Sequence, residues 1–217
     1  MRLIRVSIRR KSLNGLFFEP RVELDGDYSK DGALLVDRAT FDEWGHAEGE
    51  DVSEAQVETL IAMSRHRRAY SKALWLLSAR DYTARGMMQK LVRDYGEDAS
   101  KAAVERLCDN RLIDDERYAE YYAERMMADQ NLSRRQVYNK LVQKGVPRHL
   151  AEAAVDAVEV SSDDQLDQWI EKRYGSKLAS GDSDQIRKTV NALVRKGFNY
   201  SDVRAAIKRY CDAEFDD

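Results

Sequence analysis

The sequence predicts a mainly α protein: three tandem three-helix repeats stacked into an elongated, curved molecule, preceded by a small β-rich N-terminal extension. Three observations carry this. The 217 residues include only 2 prolines and 11 glycines, so little interrupts helix. Hydrophobic residues reach 43%, enough for a core, and charged residues 35%, well above an ordinary soluble domain. From about residue 68 onward, apolar residues recur at the three- and four-residue steps of helices with one buried face.

The first forty-odd residues read differently. Leu3, Val6 and Ile8 stand among Arg2, Arg5, Arg9 and Arg10. Asn14-Gly15 is a hairpin turn signal ahead of Leu16-Phe17-Phe18. Val22 and Leu24 precede Asp25-Gly26, and Ala33 to Val36 follow Asp31-Gly32, so three or four short strands are expected. The polar stretch Gly45 to Asp51 leads to Ser53-Glu54, which suits the start of a helix carrying Val57, Leu60 and Ile61.

Nine further helices follow, in three groups of three. Their stripes are Ala73, Leu74, Leu77; Met87, Met88, Leu91, Val92; Val104, Leu107, Cys108; then Tyr118, Tyr122, Met126; Val137, Tyr138, Leu141, Val142; Leu150, Ala154, Val158. The last group is Leu166, Trp169, Ile170; Ile186, Val190, Leu193, Val194; Val203, Ala206, Ile207, Tyr210. Each group holds one signature: a helix ending in Leu-Val, a glycine, then a helix with an Ala-Ala-aliphatic centre. The copies are Leu91-Val92, Gly96, Ala102-Ala103-Val104; Leu141-Val142, Gly145, Ala153-Ala154-Val155; and Leu193-Val194, Gly197, Ala205-Ala206-Ile207. Glycine accepts the left-handed conformation that ends a helix. Lys144 and Lys196 fall where a helix C-terminus favours a cation. Thr83 and Ser133 suit the N-caps of the middle helices, with Asp184 or Ser183 in the third copy. The paired alanines allow close helix approach. Units this small bury little alone and are expected to stack. The boundaries are 1–64 for the extension with one helix, 65–110 and 111–160 for the first two repeats, and 161–217 for the third repeat with an acidic tail.

Chemistry is scarce. No phosphate-binding glycine loop occurs. His46, His66 and His149 have no ligand spacing among themselves or with the cysteines, so no metal site or cofactor is expected. Cys108 falls on an apolar stripe and reads as core; Cys211 has no histidine nearby. Two cysteines suit a reducing compartment, and no stretch approaches a membrane span. Asp114-Asp115-Glu116 opens a helix, where Asp114 serves as N-cap and acids suit the dipole; capping explains all three without catalysis. Tyr118 and Tyr122 read as packing, whereas Tyr121 falls off their stripe toward exposure. No nucleophile–base pair survives, so an enzyme is not expected.

The basic residues carry the functional signal. Net charge is −3, which excludes a whole-chain basic footprint. Yet Arg134, Arg135, Lys140, Lys144 and Arg148 run along the middle repeat. Arg187, Lys188, Arg195, Lys196, Arg204, Lys208 and Arg209 run along the last. On stacked repeats they form a stripe suited to phosphates or to an acidic protein groove. The alternative is a solvated helix face.

The run Ala73-Leu74 through Arg80, Leu91-Val92 and the stretch Leu107 to Ala119, with Ile113-Asp114-Asp115 at its centre, resembles the RecX family of RecA regulators. The Lys-Gly turn followed by a helix is similar over Lys140 to Val158 and Ala192 to Tyr210, and the resemblance covers about residues 69–210. Longer family members carry an N-terminal β-rich extension. The resemblance implies a cytoplasmic, non-enzymatic modulator without cofactor. It would bind RecA and the RecA–single-stranded-DNA filament and restrain its ATPase, strand exchange and coprotease activities, and so recombination, repair and the SOS response. Some members also contact DNA, which implies weak direct DNA binding. A monomer is expected. Two further readings stand beside this one: a helical-repeat module acting on DNA directly, and a scaffold for another protein. The first copy departs from the Lys-Gly pattern, with Asp94-Tyr95-Gly96.

Overall fold

The computed structural model describes residues 3–11, 17–24, 33–36, 38–47 and 49–215. The expected Asn14-Gly15 turn, the Asp25-Gly26 and Asp31-Gly32 loops, and the last two residues of the acidic tail lie outside them. The chain is mainly α, with three tandem three-helix repeats. It divides into two compact units, Met1–Tyr82 with Gly86–Ile113, and Thr83–Arg85 with Asp114–Asp217.

The first unit opens with an antiparallel sheet of β1 (Leu3–Lys11), β2 (Phe17–Leu24) and β3 (Ala33–Leu35), in that order. Val6 pairs with Val22, and Val22 with Leu34. Two helices then depart from expectation. A short α1 (Arg38–Trp44) occupies a stretch for which the sequence analysis predicts no helix. Its Phe41 and Trp44 pack on the cluster of Val36, Val52, Val57 and Leu60, and the Trp44 indole donates to the Gln56 carbonyl at 3.0 Å.

The second departure is α2 (Glu54–Leu77), one 24-residue helix covering two helices expected separately. Ser53 caps it, accepting from the Gln56 N–H while the Gln56 side chain accepts from the Ser53 N–H. No glycine or proline interrupts it. Its later buried face is Ser64, Ala69 and Ala73, so Leu74, expected in the core, is exposed. The first repeat continues with α3 (Ala84–Tyr95) and α4 (Glu97–Asp109), and α4 packs against α2. On α4 the buried face is Ala99, Ala103, Val104 and Leu107. Cys108, expected in the core, lies one step past that face and is exposed.

The second unit holds α5 (Asp115–Ala128), α6 (Arg134–Gln143) and α7 (Arg148–Ala157). The third repeat follows with α8 (Ser162–Trp169), a π-helical turn (Ile170–Tyr174), α9 (Gly175–Leu178), α10 (Ser183–Arg195) and α11 (Tyr200–Phe215). The core of the second repeat gathers Ala119, Ala123, Met127, Val137, Leu141 and Ala151. That of the third gathers Leu166, Ile170, Leu178, Leu193, Val203 and Ala206. Leu91, Leu141 and Leu193, the leucines of the signature, are each fully buried, which stabilises by about 1.5–3 kcal/mol apiece. Of each expected alanine pair only the second member is buried: Ala103, Ala154 and Ala206, against half-buried Ala102 and exposed Ala153 and Ala205. Close approach rests on one small residue per helix, because its neighbour points 100° away.

Candidate functional site: the repeat junctions

The Leu-Val…Lys-Gly turn ends α6 and α10 in the same way. Gly145 (φ +98°) and Gly197 (φ +94°) take the left-handed conformation. The Val146 N–H donates to the Leu141 carbonyl at 3.1 Å and the Gly145 N–H to Val142 at 3.0 Å. Phe198 donates to Leu193 at 3.3 Å and Gly197 to Val194 at 2.9 Å. This satisfies carbonyls that the helix end would leave unpaired, and it buries Val146 and Phe198 as the apolar contact of the turn.

Each of these turns receives the start of the preceding repeat's middle helix. The Ser133 hydroxyl, besides capping α6 by accepting from the Gln136 N–H, donates to the Lys196 carbonyl at 2.5 Å. The Thr83 hydroxyl donates to the Lys144 carbonyl at 2.7 Å. Arginine stems lie over the glycines. A Cβ on Gly197 would stand 2.8 Å from the Ser133 hydroxyl oxygen and 2.9 Å from the Arg135 Cβ, and one on Gly145 would stand 2.8 Å from the Arg85 Cβ. Only a glycine hydrogen fits there.

The lysine before each glycine turns onto an aromatic ring of its own repeat's first helix. Lys144 Nζ lies 5.0 Å from the Tyr122 ring centre, and Lys196 Nζ lies 3.9 Å from that of Trp169. Such contacts hold the ammonium in place while its charge stays accessible. Tyr122 in turn stacks on buried Tyr118 at 4.4 Å, and the Trp169 indole donates to the Asn131 carbonyl at 2.8 Å. Each junction thus presents an arginine and a lysine together: Arg85 with Lys144, and Arg135 with Lys196. Helix α6, 10 residues and so about 15 Å long at 1.5 Å per residue, runs between them.

The other basic residues divide by what they already hold. Arg134 is half-buried and donates to the Val155 and Val158 carbonyls at 2.6 and 2.9 Å, closing the C-terminus of α7. Arg187 pairs with Asp184 at 3.0 Å. Arg209 pairs with Asp167 at 3.1 Å and Asp163 at 3.2 Å, and its hydrogen bond to Asp167 raises its already high pKa further. The Arg204 guanidinium reaches the Tyr200 hydroxyl at 3.4 Å, and that tyrosine is 57% exposed. Lys140, Arg148, Lys188, Arg195 and Lys208 are exposed. Arg85 is not among the basic residues expected from sequence, though the spacing Thr83-x-Arg85 repeated as Ser133-x-Arg135 carries the signal.

The acidic run behaves as caps. Asp114 accepts from the Arg117 N–H at 3.0 Å. Asp115 accepts from the Ala84 N–H at 2.8 Å, closing the start of α3; partial burial nevertheless raises its carboxyl above the usual range. The third copy is capped by Asp182, which accepts from the Asp184 N–H at 2.9 Å, rather than by the expected Asp184 or Ser183. Tyr121 is 52% exposed, as its position off the stripe predicts. Among the described residues, no group of three or more His, Cys, Asp or Glu is placed to hold a metal ion. No described helix is long and apolar enough to cross a membrane.

Three family models match in series. The first three-helix domain of RecX matches residues 69–107, the second matches 114–155 and the third 161–207. The chain belongs to the RecX family. "Regulatory protein RecX" of Caldanaerobacter subterraneus is 26% identical over 190 residues, covering 86% of this chain and 90% of that protein. The RecX of Xanthomonas axonopodis pv. citri is 30% identical over 138 residues, covering 63% and 84%. Among solved structures, one titled as regulatory protein RecX superposes with a TM-score of 0.68 over 95% of this chain and all of that one, at 22% identity. RecX from Lactobacillus salivarius gives 0.58 over 69% and 97%, at 28% identity. The RecX family is regulatory, not enzymatic.

Proposed function

We propose that this RecX-family chain binds RecA and the RecA–single-stranded-DNA filament in the cytoplasm and inhibits ATP hydrolysis, strand exchange and coprotease activity, so modulating recombination and repair. The observation that carries the reading, beside membership of a regulatory family, is the repetition of one junction. An arginine and a lysine recur together at two junctions, Arg85 with Lys144 and Arg135 with Lys196, beside glycine turns and aromatic rings. A repeating ligand such as a filament is matched by a repeating set of charges, and each repeat then adds to the affinity of the next. Lys140, Arg148, Lys188, Arg195 and Lys208 extend the cationic surface, with Arg135, Lys144 and Lys196 at its fixed points. Arg134, Arg187 and Arg209 support it through their protein contacts.

The division we propose keeps an extension over 1–64, then 65–110, 111–160 and 161–217, with α2 running across the first boundary and each repeat offering its own share of contacts. The protein acts as a monomer, and its effect on RecA requires no chemistry of its own. The test is single-stranded-DNA-dependent ATP hydrolysis by the cognate RecA with this protein titrated below stoichiometry. Loss of hydrolysis well below one copy per RecA is expected. No effect at equimolar protein overturns the reading.

Direct binding to DNA is the second reading. The aromatic–lysine pairs Tyr122–Lys144 and Trp169–Lys196 favour it, since rings and cations together suit single strands. A gel shift with single-stranded DNA, with and without RecA and ATP, separates the two.

A further inference from the structure

A dense run of basic residues lies outside the repeat junctions, in the middle of α2, at Arg65-His66-Arg67-Arg68. On one flank of this run is a hollow of about 500 Å³. Its rim is His66, Arg67, Tyr70 and Ser71 of α2, with Arg106 arriving from α4; alanines of α1 and α4, Ala39 and Ala103 among them, form its floor. The volume lies in the range of small-molecule and nucleotide sites. Two arginines, a histidine, a tyrosine and a serine line it, and no carboxylate residue among the described residues does.

The two arginines are oriented rather than loose. Arg106 lies 4.5 Å over the Tyr70 ring, which fixes the plane of its guanidinium. One Nη of Arg67 donates to Glu43 at 2.5 Å, which holds the side chain and leaves its remaining N–H groups for another acceptor. A solvated helix face would scatter its cations around one helix; here a cation from a second helix joins them over a small-residue floor.

The other flank of α2 points to the same ligand chemistry. Ser64 is 4% exposed, and its hydroxyl has no hydrogen-bond partner among the described residues. It lines a second hollow of about 220 Å³ with Arg65, Arg68, Asp94 and Tyr95. A buried hydroxyl is normally paired, and beside two arginines an anionic oxygen is a fitting acceptor.

We infer that the hollow of His66, Arg67, Tyr70, Ser71 and Arg106 is a binding site for a phosphate ester. The phosphate accepts from Arg67 and Arg106, in the forked geometry that guanidinium groups give phosphates. The hydroxyl groups of Tyr70 and Ser71 supply further donors, and the Tyr70–Arg106 stack offers a flat face for a base. A strand phosphodiester and a free nucleotide share this chemistry. The site stands apart from the RecA reading, so its test omits RecA.

The experiment uses the full chain, a fluorescein-labelled single-stranded oligothymidylate and, separately, ATP. Arg67→Gln and Arg106→Gln remove charge at exposed positions, and Arg125→Gln, at an exposed arginine paired with Asp129 outside the hollow and the repeat junctions, serves as the control. Loss of roughly five- to tenfold in strand affinity for each hollow variant is expected, with the slope of log affinity against log salt reduced by about 0.7 per arginine. Arg106→Lys retains the salt slope but weakens binding, because the stacked fork is gone. If ATP binds and the two glutamine variants abolish that binding while the strand is unaffected, the site stands with a free nucleotide as its source. Strand and ATP affinities both unchanged in Arg67→Gln and Arg106→Gln overturn the inference.

Discussion

Three copies of one glycine turn differ in what they meet. Gly96, Gly145 and Gly197 all adopt positive φ. A Cβ on Gly145 or Gly197 would run into the start of another middle helix, whereas one on Gly96 would find no described atom within 4 Å. The first turn stops a helix; the second and third also seat a neighbour. Their sequences report the difference, since Gly96 follows Asp94-Tyr95 where the others follow a lysine. The first turn differs in backbone shape as well: Gly96 has ψ 174° and its N–H donates to Val92, four residues back, whereas Gly145 and Gly197 donate to carbonyls three residues back.

The largest expected effect separates those tasks. Gly145→Ala and Gly197→Ala should each destabilise by about 2–4 kcal/mol, combining left-handed strain with a clash against backbone-proximal atoms. Gly96→Ala should cost less, about 1–3 kcal/mol, from backbone strain without a clash. Urea denaturation of the three variants checks the ranking, and equal losses would break the comparison.

Next comes Arg134. Its counterpart in the first copy is Ala84, whose side chain has no donor to offer. Arg134→Met should cost about 1.5–3 kcal/mol, because two carbonyls at the end of α7 lose a charged donor. Thermal denaturation reads this directly. Ser133→Ala should cost about 1–2 kcal/mol, losing both a helix cap and the bond to the Lys196 carbonyl. Ser133→Thr, which copies the Thr83 junction, should recover most of it.

The smallest effect lies in pH dependence. Burial raises the Asp115 carboxyl, so the folded chain holds that proton to higher pH than the unfolded chain. Its contribution to stability then falls as pH rises through the carboxylate range and stays low above it. Asp115→Asn retains an oxygen for the Ala84 N–H and removes that dependence. The urea midpoint of the variant relative to the parent should rise from acid to neutral pH; a constant difference would refute the assignment.

The repeat and its turns were legible because they rest on residues with few substitutes: leucine in a closed core, glycine at positive φ, one alanine at a helix crossing. The continuity of α2 was not, since its later buried face uses Ser64, Ala69 and Ala73, which leave no aliphatic stripe. The residue boundaries of the buried face on α4 were missed by one step at Cys108, because Val104 and Leu107 alone do not fix the helix rotation. For the basic residues, type and spacing were readable but occupation was not. Arg134 closes a helix and Arg209 holds two aspartates, whereas the nearby Lys140 and Lys208 are exposed. The hollow beside α2 needed α4 to bring Arg106 across, which no spacing along the chain encodes.

The seat at Gly197 is built almost wholly from main chain: a carbonyl, a missing side chain and a helix end, met by a hydroxyl that serine or threonine supplies equally. That hydroxyl–carbonyl contact depends little on the identity of the module on either side. A repeat could be duplicated or deleted in the gene and the new neighbours would still couple, as bricks of one gauge do. Length then becomes an evolvable property separate from fold, and family members with more or fewer repeats would measure out correspondingly longer or shorter stretches of whatever they lie along.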